Sequence, residues 1–284
     1  MQRSHDDRPG ASPAESTEQR SPRDRKRLAP AALRRIFREA RRDPELAVLE
    51  GLHALKHALR FEAEVVCVAI TEPERLHALA GALAPDVLAR MLADAQTLPP
   101  EEFQTLAPQP PPTGVIALAR RPPYTVASLL SEARDAPIVL LERPRDLGNI
   151  GACVRVAAAA DVAGVLSTGV HDPWDPSALR GSAGLHFALP VAHLAEEPLE
   201  QLTGAPEGRG HDRPLVAVDP DGEPLHPKQL PPRAILAFGA ERRGLSAELL
   251  ARADARVSLP MRAGVSSLNL ATSVAALLYS WRLS

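Results

Sequence analysis

One stretch of the chain decides the fold, and it reads Ile138-Val139-Leu140-Leu141-Glu142-Arg143-Pro144-Arg145-Asp146-Leu147-Gly148-Asn149-Ile150-Gly151-Ala152-Cys153-Val154-Arg155. Its first four residues are all apolar, which is typical of a strand that is buried on both faces of a parallel sheet. A polar loop follows to Gly148, and the residues from about Asn149 to Ala160 favour a helix. The stretch therefore predicts a strand–loop–helix unit, whose glycines permit a tight turn and the close approach of another backbone.

Similar units recur through the rest of the C-terminal half. We predict further strands at Gly164–Leu166, Leu215–Val218, Ile235–Phe238 and Arg256–Leu259, and a final helix from about Asn269 to Trp281. Strands that alternate with helices in this way predict an α/β fold with a mainly parallel sheet. The ligand site of such a sheet lies outside the carboxyl ends of its strands.

Three polar segments follow predicted strands and contain the candidate site residues. The first is Gly148-Asn149-Ile150-Gly151, with Arg155 on the helix that follows. The second is Gly239-Ala240-Glu241-Arg242-Arg243-Gly244-Leu245, and the third joins Leu259-Pro260-Met261 to Ser267-Leu268-Asn269. Taken singly, the first and third could be helix caps, because short polar side chains at a helix start bind its free N–H groups, and the second is a weak pattern. Their occurrence together, in one half of the chain, favours a single ligand site.

These turns narrow the class of ligand. They contain neither a GxGxxG fingerprint nor a phosphate loop ending in Gly-Lys-Ser/Thr, so an unrelated nucleotide-binding α/β enzyme is disfavoured. Asn149 and Arg155 lie six residues apart and therefore point to different sides of a helix. They could thus serve different partners, Asn149 at the turn and Arg155 at a phosphate or a ribose.

The N-terminal half predicts a second, smaller α/β unit. Helices are expected from Pro30, over Glu50–Arg60 and across Pro73–Ala95, with strands at Glu64–Ile70 and Thr113–Arg120. We therefore divide the chain into a disordered polar tail (1–28), a small unit (29–121), a linker (122–136) and a larger unit (137–284). Helical character from Ser128 to Arg134 is expected to lead from the linker into the larger unit.

Charge and cysteine content restrict the partners and the compartment. The formal net charge is only −2, yet the stretch Arg20–Arg42 concentrates Arg and Lys and could bind nucleic-acid phosphates or simply be a solvated arm or helix face. Cys67 and Cys153 lie in apolar runs and form no metal-binding pattern, so we expect buried, reduced thiols and no metal. No stretch has the length of a membrane span, and we expect a cytoplasmic protein without a membrane partner.

The three segments resemble the signatures of the SpoU/TrmH branch of the SPOUT RNA methyltransferases. Members of that branch have an Asn-x-Gly-type turn followed by an Arg, a Gly-x-Glu-x-x-Gly-Leu turn and an Ile-Pro-Met…Ser-Leu-Asn element, and the three segments are similar to these. Leu179-Arg180-Gly181-Ser182-Ala183-Gly184 is a fourth family-like stretch, and the resemblance covers Pro137–Ser284. Ala240 stands where an Asn is common, and Leu259 stands where Ile is usual.

The N-terminal half carries a second, less specific resemblance. Its opening resembles that of a substrate-binding domain similar to ribosomal protein L30e, and reads Val48-Leu49-Glu50-Gly51-Leu52-His53-Ala54-Leu55-Lys56-His57-Ala58-Leu59. Thr113-Gly114-Val115-Ile116-Ala117 resembles the closing strand of that domain, with Thr113 in place of the usual Gln. No chemistry is assigned to His53 or His57.

The resemblance implies a trefoil-knotted α/β domain at 137–284, a small L30e-like RNA-binding domain at 29–121, and a homodimer. It also implies that S-adenosylmethionine is the methyl donor and that it is held mainly by backbone atoms of Gly239, Leu259, Met261 and Leu268. The catalytic group that it implies comprises Asn149, Arg155, Glu241, Ser267 and Asn269.

The function that the resemblance implies is an enzyme, an S-adenosylmethionine-dependent RNA 2′-O-ribose methyltransferase. The L30e-like domain favours 23S ribosomal RNA as substrate, with guanosine as the modified nucleoside. Two alternatives stay open, namely a transfer-RNA 2′-O-methyltransferase and a non-catalytic RNA-binding or ribosome-assembly factor of the same fold. Donor binding separates the enzymes from the non-catalytic factor, because a pure binding protein has no need of a donor pocket.

Overall fold

The computed structural model of the chain describes residues 28–93, 95–195, 202, 211–226, 228, 230–241 and 243–284. The polar tail predicted at 1–28 lies outside these residues except for its last position. The helices and strands, numbered along the chain, are α1 (Pro30–Ala40), β1 (Leu46–Glu50), α2 (Leu52–Arg60), β2 (Val65–Ile70), α3 (Pro73–Leu83), α4 (Leu88–Ala93), β3 (Ala95–Thr97), α5 (Pro100–Phe103), β4 (Val115–Arg120), α6 (Val126–Leu130), β5 (Ile138–Leu141), α7 (Leu147–Ala159), β6 (Gly164–Thr168), α8 (Pro176–Gly181), β7 (Val191–Leu194), β8 (Leu215–Pro224), β9 (Ile235–Phe238), α9 (Ala247–Arg252), β10 (Ala255–Ser258) and α10 (Leu270–Arg282).

The strands form two sheets, one in each half of the described chain. The N-terminal sheet has the order β1-β4-β2-β3, in which β4 runs antiparallel to β1 and β2, and β3 runs parallel to β2. The C-terminal sheet has the order β10-β8-β9-β5-β6-β7, and every neighbouring pair is parallel. The predicted α/β fold with a mainly parallel sheet is confirmed. Among the described residues, no helix combines the length and the apolar character needed to span a bilayer.

Two predicted boundaries in the N-terminal part of the chain were wrong. Glu50, predicted to begin a helix, ends strand β1, and α2 begins at Leu52. Gly51 makes this abrupt change possible, because its φ of 106° is rarely adopted by a residue with a side chain. The helical character predicted for Ser128–Arg134 is also displaced, since α6 begins after Thr125, whose side chain caps it, and ends at Leu130.

Differences of a second kind arise where pairing overrides local turn signals. Strand β8 was predicted to end at Val218, but it continues to Pro224 because its distal part pairs with β10 through an irregular register.

The two cysteines differ in burial. Cys153 is buried as predicted, whereas Cys67 is only partly buried, and both thiols are free. Burial raises the pKa of Cys67 to about 11, so this thiol is protonated at neutral pH.

A close contact between α7 and α8 fixes the helix that carries Asn149. A Cβ atom added to Gly151 would lie 2.2 Å from the carbonyl oxygen of Ala178 and 2.9 Å from the Cα of Gly181. Only a glycine at position 151 allows the two backbones to approach so closely. The first turn of α7, and with it Asn149, is therefore held in a defined position above the sheet.

The two halves of the chain are joined through buried polar contacts. Glu50 of β1 is 7% exposed and forms ion pairs with Arg41 and with Arg180 of α8. His57 Nδ1 lies 2.7 Å from the carbonyl oxygen of Ala183, which connects α2 to the loop after α8. A buried carboxylate that is paired on both sides is costly to disturb, because the loss of one partner leaves an unpaired charge. Helix α2 is therefore held close to α8.

We predict opposite effects of alanine at two helical glycines. Gly151→Ala is expected to lower the free energy of unfolding by about 1–3 kcal/mol, because the new methyl group would overlap the α8 backbone. Gly81→Ala in α3 is the matched control, since a Cβ there would meet no atom within 4 Å. It is expected to raise stability by up to about 1 kcal/mol through helix propensity. Urea unfolding of both variants tests this, and equal midpoints would contradict the proposed α7–α8 contact.

Candidate active site

A cavity of about 730 Å³ opens at the carboxyl end of β9 and beside the part of β8 at which pairing with β9 ends. Its walls are residues 218–221 of β8, the end of β9, the turn that includes Gly239 and Glu241, and parts of the segment 259–273 that leads into α10. The volume lies within the range of roughly 300–1,000 Å³ that is typical of small-molecule sites. The position is the one predicted for the ligand of a parallel sheet.

A chain of hydrogen bonds between side chains joins the three polar segments. Asn269 Nδ2 donates to Asn149 Oδ1 over 3.0 Å, and Asn149 Nδ2 donates to Glu241 Oε1 over 2.7 Å. These residues come from the starts of α10 and α7 and from the turn after β9. The prediction that the three segments form one site is consistent with this arrangement, whereas separate helix caps were the alternative for the first and third segments.

The donor and acceptor roles in this chain of hydrogen bonds are fixed at both of its ends, at Asn269 and at Glu241. Asn269 Oδ1 accepts from the backbone N–H groups of Ala271 and Thr272, which cap α10, so Nδ2 is the atom left to donate. Glu241 accepts at Oε2 from the N–H of Arg145, at 3.0 Å. Because a carboxylate can only accept, Asn149 has to turn its amide nitrogen toward Glu241 and its oxygen toward Asn269.

The same contacts set the charge state of Glu241. Partial burial alone would raise the pKa of its carboxyl group, but the hydrogen bonds from Asn149 and from the Arg145 N–H outweigh that effect and lower the pKa. Glu241 is therefore ionised at neutral pH and is a weak base. Its geometry suits it to hold Asn149 rather than to remove a proton.

Five further predicted residues lie at the cavity. Gly239, Leu259, Met261, Ser267 and Leu268 all line it. At Gly239 a Cβ atom would lie 2.0 Å from the carbonyl carbon of Gly244, so the turn can close only with glycine at this position. Ser267 and Leu268 are exposed, and they lie beside the cavity opening.

Two predicted site residues do not line the cavity, namely Asn149, which is hydrogen-bonded to the lining residues Glu241 and Asn269, and Arg155. Arg155 is exposed on α7, two turns beyond Asn149. Its charge instead acts on α2, where burial, then Lys56, then Arg155 lower the pKa of His53. Neither Lys56 nor Arg155 forms an ion pair with a carboxylate in the described part of the chain. The catalytic role of Arg155 stays a prediction.

The sequence reasoning missed Asp219 and Asp221, which also line the cavity. Both follow the apolar run Leu215–Val218, so an acid placed directly after a buried strand was the available signal. It was overlooked because Asp-Pro-Asp-Gly is typical of a turn. Arg256 of β10 pairs with both carboxylates, at 2.5 Å from Asp219 Oδ1 and 3.3 Å from Asp221 Oδ2.

We predict that Glu241 makes the stability of the protein depend on pH. Its folded pKa lies below its ordinary value, near 4.5. Its stabilising effect is therefore complete above that value and is lost as the pH falls through the lower, folded pKa. Urea midpoints of the wild type and Glu241→Gln should differ at about pH 6 and converge toward about pH 3.

The control for this experiment is Glu248→Gln, which removes an exposed helical carboxylate paired with Arg252. That pair is solvent-accessible, and its loss should change stability by less than about 0.5 kcal/mol. Equal pH dependence of the wild type and Glu241→Gln would show that the hydrogen bonds to Glu241 do not stabilise the folded state.

Comparison with known proteins finds relatives whose similarity extends over more than half of this chain. A 23S rRNA (uridine(2479)-2′-O)-methyltransferase of Streptomyces viridochromogenes is 30% identical over 70% of this chain and 65% of its own length. The 23S rRNA (guanosine(2553)-2′-O)-methyltransferase RlmP of Bacillus subtilis is 25% identical over 83% of this chain and 88% of its own. This chain spans 58% of the length of other curated relatives, which are 36–37% identical to it.

The fold also has a counterpart among solved structures. The SpoU methyltransferase AviRb of Streptomyces viridochromogenes, solved in complex with the cofactor AdoMet, superimposes with a TM-score of 0.71. It is 24% identical, and the match covers 90% of this chain and 98% of AviRb. The profile of the SpoU rRNA Methylase family matches residues 136–279, about half of the chain. The predicted SpoU/TrmH resemblance is confirmed, and this chain belongs to the SpoU rRNA Methylase family.

Proposed function

We propose that the protein is an RNA 2′-O-ribose methyltransferase that uses S-adenosylmethionine. The observation that carries this proposal is the hydrogen-bonded chain Glu241–Asn149–Asn269 at a cavity of about 730 Å³. It brings together side chains from three separate segments, which a set of independent helix caps would not require. Membership of the SpoU family and relatives named for ribose methylation support the reaction type.

The residues of the cavity fit the proposed methyl donor. Three carboxylates line it, those of Asp219, Asp221 and Glu241, and these favour a ligand that carries a sulfonium cation. Leu259 and Leu268 add apolar surface that suits an adenine ring. When bound, S-adenosylmethionine supplies an electrophilic methyl group.

The side chains of the site would orient the acceptor rather than perform acid–base chemistry alone. A ribose 2′-hydroxyl is a poor nucleophile until a neighbouring group takes or shares its proton. Glu241, ionised and doubly hydrogen-bonded, fixes the amide of Asn149, and Asn269 is fixed by its capping bonds. We propose that these two amides and Ser267 align the hydroxyl, since correct alignment removes much of the barrier. Arg155 is the proposed group that activates the hydroxyl or binds its phosphate.

Cations outside the cavity supply an RNA-binding surface. Arg143 and Arg145 are exposed on the loop that leads to Asn149. Lys56 and Arg155 form a second group between α2 and α7, where burial and then Arg60 lower the pKa of Lys56, Asp86 opposes them, and Arg155 lowers it further. Neither Lys56 nor Arg155 forms an ion pair with a carboxylate among the described residues, so both charges are available to bind a phosphate. We propose that the RNA backbone runs from the α2–α7 group to the cavity. The substrate is RNA rather than DNA because the reaction needs a 2′-hydroxyl, which DNA lacks.

The finer parts of the proposal concern the substrate and the assembly. We propose large-subunit ribosomal RNA as the substrate, which the names of the two 23S rRNA methyltransferase relatives support. We propose guanosine as the modified nucleoside, for which the relative RlmP is named. We also propose the trefoil knot, an L30e-like N-terminal domain and a homodimer. Tyr279 and Leu283, 42% and 83% exposed near the end of α10, provide apolar surface for a second copy.

The first test is transfer of labelled methyl from S-adenosylmethionine to unmodified RNA. We expect label in the large-subunit fraction, at one linkage that resists alkali, because 2′-O-methylation removes the hydroxyl that attacks the phosphate. Label in the transfer-RNA fraction would replace the proposed substrate by the first alternative. Absence of both label and donor binding would contradict the proposed activity and favour the non-catalytic RNA-binding factor.

A second test separates the RNA surface from the donor site. Arg155→Ala should abolish methyl transfer, and Lys56→Ala should weaken RNA binding and lower the slope of log K against log salt concentration by about 1. Both variants should bind S-adenosylmethionine as the wild type does. Arg75→Ala, which removes an exposed cation from α3, is the control and should leave RNA binding unchanged. Full turnover by Arg155→Ala would remove this residue from the site.

A further inference from the structure

Asp219 is a wall residue of the cavity for which the proposed function uses only the negative charge and specifies no hydrogen bond to the ligand. It directly follows Val218, whose partner in β9 is Phe238, so it lies at the carboxyl edge of the sheet beside Gly239. Its side chain is only 11% exposed. A carboxylate so little exposed at a ligand cavity requires hydrogen-bond donors, because burial of an unpaired charge is costly.

The donors that Asp219 does have all bind one of its two oxygens. Oδ1 accepts from Arg256 Nε at 3.1 Å, from Arg256 Nη2 at 2.5 Å and from the N–H of Asp221 at 3.0 Å. Within the described residues, Oδ2 accepts no hydrogen bond. The guanidinium and the backbone N–H thus fix the orientation of the carboxylate, and Oδ2 is left as an oriented acceptor.

We propose that Asp219 Oδ2 accepts hydrogen bonds from the ribose hydroxyls of the methyl donor and so selects a ribonucleoside ligand. This inference rests on the proposed function. A carboxylate can only accept hydrogen bonds, which matches a diol that has two protons to donate. An acid at the carboxyl edge of a parallel sheet meets nucleotide ribose in the same way in dinucleotide-binding folds.

Arg256 belongs to the same proposed ribose site, because it orients the carboxylate of Asp219. It comes from β10, the edge strand next to β8, and its guanidinium also reaches Asp221. Asp221 shares the cavity wall and the arginine, yet its side chain is 87% exposed and is oriented by fewer contacts. Asp219 and Asp221 therefore form a matched pair for experiment, with the same residue type, the same strand and the same cationic partner.

The test is calorimetric titration of the full-length protein with S-adenosylhomocysteine and with its 2′-deoxy and 3′-deoxy analogues. The wild type is expected to bind the ribonucleoside at least about tenfold more tightly than one of the deoxy analogues, because a site built for a hydroxyl rejects a ligand without it. Asp219→Ala should bind the two with equal affinity. Asp221→Ala should keep the wild-type ratio.

A wild-type ratio in Asp219→Ala would overturn the inference while leaving the methyl-donor site intact. If the wild-type protein bound none of the three compounds, the proposed function itself would fail, and the inference with it. Asp219→Asn provides a second variant should the alanine variant not fold. It keeps the shape and one acceptor but loses the charge. Its ratio of ribonucleoside affinity to deoxy-analogue affinity should therefore fall between the wild-type ratio and a ratio of one.

Discussion

The side-chain amide of Asn149 holds together parts of the chain that are 92 and 120 residues apart in sequence. One side of the amide accepts from Asn269 and the other donates to Glu241, so each neighbour specifies its orientation. A residue with only acceptors or only donors could not satisfy both neighbours. The site therefore depends on an amide at position 149, on a carboxylate at 241, and on the capping bonds that orient Asn269.

The backbone beneath this amide is equally constrained. Gly151, two residues along α7, permits the contact with α8 that sets the height of the helix above the sheet, and Arg180 of α8 is tied to Glu50 of the N-terminal sheet. The proposed donor site and the proposed RNA surface share one helix, because α7 carries Asn149, which is bonded to residues of the cavity wall, and Arg155, whose charge acts on α2. A shift of α7 would therefore be expected to disturb both proposed surfaces.

Much of this architecture was predictable from the residues, for identifiable reasons. The apolar runs at Ile138–Leu141 and Ile235–Phe238 are buried on both faces, so their composition alone marks them as parallel strands. The strand Leu46–Glu50 was missed because a helix follows it after a single glycine, and helical periodicity extends backward over the junction. The extension of β8 depends on pairing with β10, a contact between segments that no local pattern reports.

The candidate site divides in the same way. Asn149, Glu241 and Asn269 were predicted because each follows a predicted strand or begins a helix, and their shared order favours one site. Asp219 was missed since its surroundings read as a turn. The position of Arg155 could not be derived from spacing, because helical geometry shows only that it faces away from Asn149. What it faces, here α2, depends on how the two halves of the chain pack.

The central claim is that the hydrogen-bonded amides of Asn149 and Asn269 lie at the cavity that binds the methyl donor, where they align the acceptor hydroxyl. The most direct measurement is the NMR spectrum of the side-chain amide groups of both asparagines during titration with S-adenosylmethionine, with ATP as the control ligand. Our account predicts that both signals shift and saturate together with S-adenosylmethionine and stay unchanged with ATP. Saturable donor binding that leaves both signals in place would put the donor elsewhere and contradict the account.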